Sequence, residues 1–248
     1  MVLTRYELRV KPGGMVLGDH SGLASAVDLR STDTPVKDQG NLGSCTGNAY
    51  AALREFLAVN HENRPYEPLS RLYIYYEERL REHTVNQDAG AQMIDGARVL
   101  QQMGVPPESL DPYDIATYRQ APSAAAIAAA AGYRVKSFIP LTDLAAVKGA
   151  LAQGLPVAFG IPVYAGFESV GADGIVPMPK RGEKPIGGHA LVKVGYQDVL
   201  TRAGKLSMTR SRFVFKNSWG SSWGDHGYGY LPYAYILRYG FDAFAFTV

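Results

Sequence analysis

The chain has 248 residues, 46% hydrophobic and 19% charged. That is long enough for one large domain or two small ones with a real core, and too apolar for a disordered segment. Its 25 basic and 23 acidic residues leave a net charge of +2, which excludes nucleic-acid binding by phosphate neutralisation, and no Lys/Arg run offers a polybasic membrane patch.

Residues 1–27 hold five glycines or prolines and few periodic hydrophobics, so they read as an arm. The opening MVLTRYELRVKPGG lacks the apolar core of a signal peptide. A helix is expected from Cys45, where Ala49, Ala52, Leu53, Phe56 and Leu57 follow the i, i+3, i+4 rule. A second helix runs from Ser70, as N-cap, to about His83, with Leu72, Tyr73, Tyr76 and Leu80 on one face. A third spans Ile94 to Met103 and stops at Gly104. The breaker-rich stretch from Pro106 to Pro122 marks a domain boundary. Ala124–Ala131 reads as a short Ala-rich helix begun near Ser123, not an anchor. Strands then follow at Arg134–Ile139, Val157–Ile161, Ala190–Tyr196, Arg212–Lys216 and Gly227–Leu231. A helix from Asp143 to Gln153, capped by Thr142, interrupts them. The divisions are therefore 1–27 as an N-terminal extension, 28–112 as a helical lobe and 113–248 as a β-rich lobe. No internal repeat is visible. The layout is α+β, with two lobes and a cleft between them.

Three constellations carry chemistry. In Gln39-Gly40-Asn41-Leu42-Gly43-Ser44-Cys45-Thr46-Gly47-Asn48-Ala49 the only cysteine opens a helix. Free N–H groups and the dipole there lower a thiol's pKa, while small neighbours leave room for a substrate carbonyl. The plain alternative is a small buried hydrophobe. In Gly187-Gly188-His189-Ala190 a histidine stands at the mouth of a buried strand after two glycines; alone it reads as structural. In Lys216-Asn217-Ser218-Trp219-Gly220-Ser221-Ser222-Trp223-Gly224 an asparagine follows a strand. Its side-chain carbonyl can accept from the far nitrogen of an imidazole and so fix the tautomer. Alone it reads as a loop Asn beside core tryptophans.

Together these motifs resemble the papain-like (family C1) cysteine peptidases, over about Val27–Leu231. Cys45 precedes His189 by 144 residues and Asn217 by 172, the second gap being lengthened by an expected hairpin at Asp198–Ser211. The resemblance implies a papain-like two-lobe fold, with a helical left lobe, an antiparallel β-barrel-like right lobe and the active site in the cleft. It implies Cys45 as nucleophile, His189 as its base and proton donor, Asn217 as orienter and Trp219 as a shield. It implies Gln39 and the Cys45 backbone N–H as oxyanion hole. Gly188 lies beside the substrate, Gly90 and Ala91 form a ledge for an extended peptide, and Met93 walls an S2 pocket favouring an apolar P2 residue. The floor of that pocket is placed near Pro232–Ile236. The expected partner is a peptide or protein substrate, the expected state a monomer, and neither nucleic acid nor membrane is implied.

The sequence departs from the family in places. Leu42 stands where most eukaryotic members have a bridging cysteine, and Thr46 where they have an aromatic residue, which resembles bacterial members. The family's long propeptide is missing, and residues 1–24 are expected to lie in or near the cleft and lower activity. The single cysteine and absent signal peptide favour the cytoplasm and leave secretion open. No cofactor is implied, and no metal: His20, His61, His83 and His226 lack ligand spacing. Gly43-Ser44-Cys45-Thr46-Gly47 also fits an α/β-hydrolase elbow, but no strand precedes it. The same triad could also serve an acyl transferase, in which an amine rather than water takes the acyl group, and the same cleft could belong to an inactive peptide binder.

Overall fold

The computed structural model describes Met15, Gly18 and residues 22–248. Most of the expected arm, with His20, lies outside the described residues. In chain order the elements are β1 (Ala26–Asp28), α1 (Cys45–Asn60), α2 (Arg71–Arg81), α3 (Met93–Gln102), α4 (Ala124–Ala130), β2 (Ser137–Pro140) and α5 (Leu144–Ala152). They continue with β3 (Val157–Val163), α6 (Ala165–Glu168), β4 (Gly187–Gln197), β5 (Arg212–Lys216), β6 (Tyr228–Pro232), α7 (Tyr233–Tyr239) and β7 (Phe241–Thr247).

The three expected front helices form α1–α3. Burial on α1 is not confined to one stripe, because the helix packs on α2, α3 and β4 at once. Every residue from Thr46 to Ala58 is buried. Charges caught inside are paired: the Arg54 guanidinium donates to Glu62 at 2.8 Å, and Glu55 accepts the Leu69 N–H at 2.8 Å. Gly47 permits the close crossing of α1 and α2, since a Cβ there would stand 2.4 Å from the Arg71 carbonyl oxygen. Ser70 caps α2 by accepting from the Tyr73 N–H, as expected. The buried face differs, however. Leu80 is 48% exposed, while Ile74 and Tyr75 are fully buried, because the helix is covered on the side facing α1 and α3.

The strands form an antiparallel sheet in the order β2-β7-β3-β4-β5-β6, with β1 paired to the far end of β4. The sheet has free ends at β2 and β6, so it is open rather than a closed barrel. Two expectations shift. Asp143, not Thr142, caps α5, accepting from the Ala146 N–H at 2.7 Å. The last strand is not β6: α7 and β7 follow, and β7 lies between β2 and β3. One core joins α1–α3 to β4 and β7, and a second fills the far side of the sheet around Phe159, Phe213, Phe215 and Tyr233.

Lys193 on β4 is fully buried in the second core, its ammonium nitrogen 3.3 Å from the Phe159 ring centre. That nitrogen has no hydrogen-bond partner among the described residues, and burial pushes its pKa well below the ordinary lysine value. The unfolded chain therefore binds the extra proton, and the penalty of burying this lysine shrinks as pH climbs towards 10.5. Lys193→Met is expected to stabilise the fold at neutral pH by roughly 1–4 kcal/mol, with the gain narrowing at alkaline pH. Denaturant titrations at neutral and alkaline pH check this, and a variant less stable than the parent at pH 7 contradicts it.

Candidate active site

Cys45 is the first residue of α1 and follows the tight Gln39–Ser44 turn. Across from it β4 pairs antiparallel with β3, with His189 opposite Ile161. His189 is the third residue of β4 and lines one pocket with Cys45. Strand β5 ends at Lys216, so Asn217 emerges beside the ring. His189 Nε2 donates to Asn217 Oδ1 at 2.8 Å, and both residues are 3% exposed. Asn217 Oδ1 also accepts the Ser218 N–H at 2.8 Å. Holding the proton on Nε2 leaves His189 Nδ1 as an acceptor. Trp219 stacks on the ring at 4.9 Å and 29°, and Phe167 of α6 meets it edge-on at 5.9 Å. These rings keep water from the His–Asn bond.

Gln39 is fixed by four hydrogen bonds, one of them from the Tyr113 hydroxyl to its backbone carbonyl at 2.9 Å. Its backbone N–H donates to the Ser218 carbonyl at 2.8 Å, Ser218 Oγ donates to its Oε1 at 2.6 Å, and its Nε2 donates one hydrogen to the Leu42 carbonyl at 2.9 Å. The second Nε2 hydrogen is left for another acceptor.

A single pocket collects most of the expected site. Cys45, Ala91, Met93, Gly188 and His189 line it, with Thr46, Ala190 and Phe241. Gly90 and Trp219 stand behind this lining: Gly90 donates its N–H to the Tyr75 hydroxyl at 3.2 Å, and Trp219 covers the ring of His189. Phe241, at the start of β7, stands where Pro232–Ile236 were expected. Tyr233, Tyr235 and Ile236 are instead buried in the second core. Residues missed in the sequence are thus Phe241, Phe167 and Ser218; only Ser218 carried a signal, its place between Asn217 and Trp219.

The electrostatics differ from the helix-terminus expectation. Burial pushes the Cys45 thiol up to about 11, with the carboxyl of Glu78 adding to the rise, although the N–H groups of Ala190, Thr46 and Cys45 itself pull the other way. Cys45 keeps partial exposure at the pocket, and solvent there moderates the push. Burial likewise pushes His189 down to about 4 against the support of Asn217. Each charge is disfavoured singly. The two groups line one pocket, and burial there favours the neutral thiol and the neutral imidazole alike.

Of the other histidines, His61 bonds the Gly154 carbonyl at 2.9 Å, and the described residues hold no group of three His, Cys, Asp or Glu placed for a metal. No helix among them is long and apolar enough to cross a membrane.

A family model described as papain family cysteine protease matches residues 23–238. An uncharacterised peptidase C1-like protein of Acanthamoeba polyphaga mimivirus is 38% identical over 210 residues, covering 80% of this chain and 64% of the relative. Cysteine proteinase 3 of Entamoeba histolytica is 27% identical over 82% of this chain and 61% of its own length. The chain therefore spans less than two thirds of either relative. Among solved structures, xylellain, a cysteine protease from Xylella fastidiosa, superposes with a TM-score of 0.84 at 31% identity, covering 100% of this chain and 96% of that one. Digestive procathepsin L 3 of Tenebrio molitor, at 20% identity and a TM-score of 0.70, covers 100% of this chain and 76% of its own and shares the fold.

Proposed function

The chain belongs to the papain family of cysteine proteases, and on that premise we propose that it is an endopeptidase acting through a thioester acyl-enzyme, with an apolar preference at P2. The observation that carries this is the 2.8 Å bond from His189 Nε2 to Asn217 Oδ1, which leaves Nδ1 as the acceptor in the pocket that also holds Cys45. The Cys45 sulfur gives its proton to Nδ1 and attacks the peptide carbonyl carbon. The oxygen gains the negative charge and meets the free Nε2 hydrogen of Gln39 and the Cys45 backbone N–H. Collapse breaks the C–N bond, the imidazolium proton goes to the leaving amine, and a thioester remains. Water, losing its proton to His189, then attacks the thioester and releases the acid and the thiol. A monomer suffices, since every proposed group comes from one chain.

The apolar lining of Ala91, Met93 and Phe241 supports the P2 preference. Self-inhibition by the arm rests on Met15. That residue lines one groove with Ile94, Pro140, Leu141 and Phe241, and Phe241 also lines the Cys45 pocket. The test is a P2-varied peptide library with the full chain and a chain starting at Ser25. Apolar P2 residues are expected to exceed charged ones by about tenfold or more, and the shorter chain to turn over several-fold faster. A charged P2 preference rejects the subsite, and equal rates reject inhibition by the arm.

A further inference from the structure

Leu42 leaves the active-site turn without the bridging cysteine of most eukaryotic relatives, yet the turn is tied down. The Gly43 N–H points at the Asp88 carboxylate, 3.0 Å from Oδ1 and 3.1 Å from Oδ2. The Tyr75 hydroxyl donates to Asp88 Oδ1 at 2.5 Å and accepts the Gly90 N–H at 3.2 Å. Gly90, at φ +71°, turns the chain into Ala91, which lines the pocket beside Cys45. Beneath these bonds Leu42, Leu72, Tyr75 and Ala91 pack as a separate apolar cluster. The Arg79 guanidinium lies 4.0 Å over the Tyr75 ring and donates to the carbonyls of Val85, at 2.6 Å, and Gln87, at 3.2 Å, fixing the segment that leads into Asp88.

We propose that Asp88 and Tyr75 are positioning residues that clasp the substrate ledge at Gly90–Ala91 to the active-site turn at Gly43, in place of a covalent bridge. Neither touches the reacting atoms. Their action is on where an extended peptide lies relative to Cys45, which rests on the protease reading above. A charge-assisted bond on each side of one carboxylate resists separation of the two segments. A disulfide does the same by covalent constraint, whereas the clasp needs no oxidant.

Tyr75→Phe removes the hydroxyl and keeps the ring in its apolar cluster, while Asp88→Asn keeps an oxygen acceptor. Three readouts separate the possibilities: kcat and KM on a peptide reaching P3, alkylation of Cys45 by iodoacetamide, and hydrogen exchange across residues 85–93. For Tyr75→Phe, kcat/KM on the long peptide is expected to fall about tenfold or more, mainly through KM. Alkylation should stay within about twofold, and exchange should accelerate at Gly90 and Ala91. Asp88→Asn should lose less, because it retains an acceptor. Unchanged exchange overturns the clasp, as does an equal loss in peptide turnover and alkylation. A parent chain that cleaves no peptide rejects the protease reading instead, and exchange still decides whether the two segments are clasped.

Discussion

Replacing His189 with alanine is expected to cut the rate of Cys45 alkylation at pH 7 by about two to four orders of magnitude and to change its pH dependence. In the intact site burial holds the thiol up and the imidazole down, so on the proposed mechanism the imidazolium adds the stabilisation of thiolate that the backbone N–H groups do not supply by themselves. Transfer of one proton from Sγ to Nδ1 leaves the pocket's net charge unchanged, and the parent should therefore alkylate over a broad plateau around neutrality. Without the imidazole, Cys45 is a thiol that burial holds above its ordinary range, so little of it is thiolate at pH 7. The sign follows: alkylation of His189→Ala should rise about tenfold per pH unit and approach the parent only at strongly alkaline pH. A variant with the parent's plateau would show that the helix terminus alone activates the sulfur. Asn217 has a role one step back on the proposed mechanism, since its carbonyl accepts from Nε2.

The second large effect is at the sulfur itself. Cys45→Ala removes the atom proposed to form the thioester, and no other cysteine exists in the chain to replace it. Turnover of any peptide found in the library should fall by about 10⁴ or more, to whatever the oxyanion groups and binding provide alone. Stability should change little, because the partly exposed Cys45 gives up only a small group. A variant that loses activity through unfolding is thereby separated by its melting curve. Retained turnover in a folded Cys45→Ala chain would place the chemistry elsewhere.

Much of the architecture was legible in local pattern. The stripe after Cys45, the Ser70 cap and the Gly104 stop each follow from neighbours within a turn or two. So does the order of chemistry-bearing motifs, because cysteine, histidine and asparagine each sit at an element's end that folding brings together. What was illegible depends on distant partners. Strand β1 has three residues and exists through pairing with β4. Strand β7 is buried along most of its length, and the aromatic run of α7 before it hides its start. Phe241 enters the pocket only because β7 returns beside β3. The upward push on Cys45 was likewise hidden: the sequence displays a helix start, but burial comes from the tertiary fold and outweighs it. The clasp joins Gly43 to a carboxylate 45 positions away, a pairing no spacing rule foresees.

The proposed mechanism requires that Cys45 become acylated during peptide cleavage. Acid-quenching the enzyme during turnover of an activated peptide ester and weighing the intact protein tests it directly. An added mass equal to the acyl group is expected, mapped to Cys45, absent from Cys45→Ala and discharged by hydroxylamine. Steady turnover with no adduct on Cys45, or an adduct carried by another residue, would contradict it.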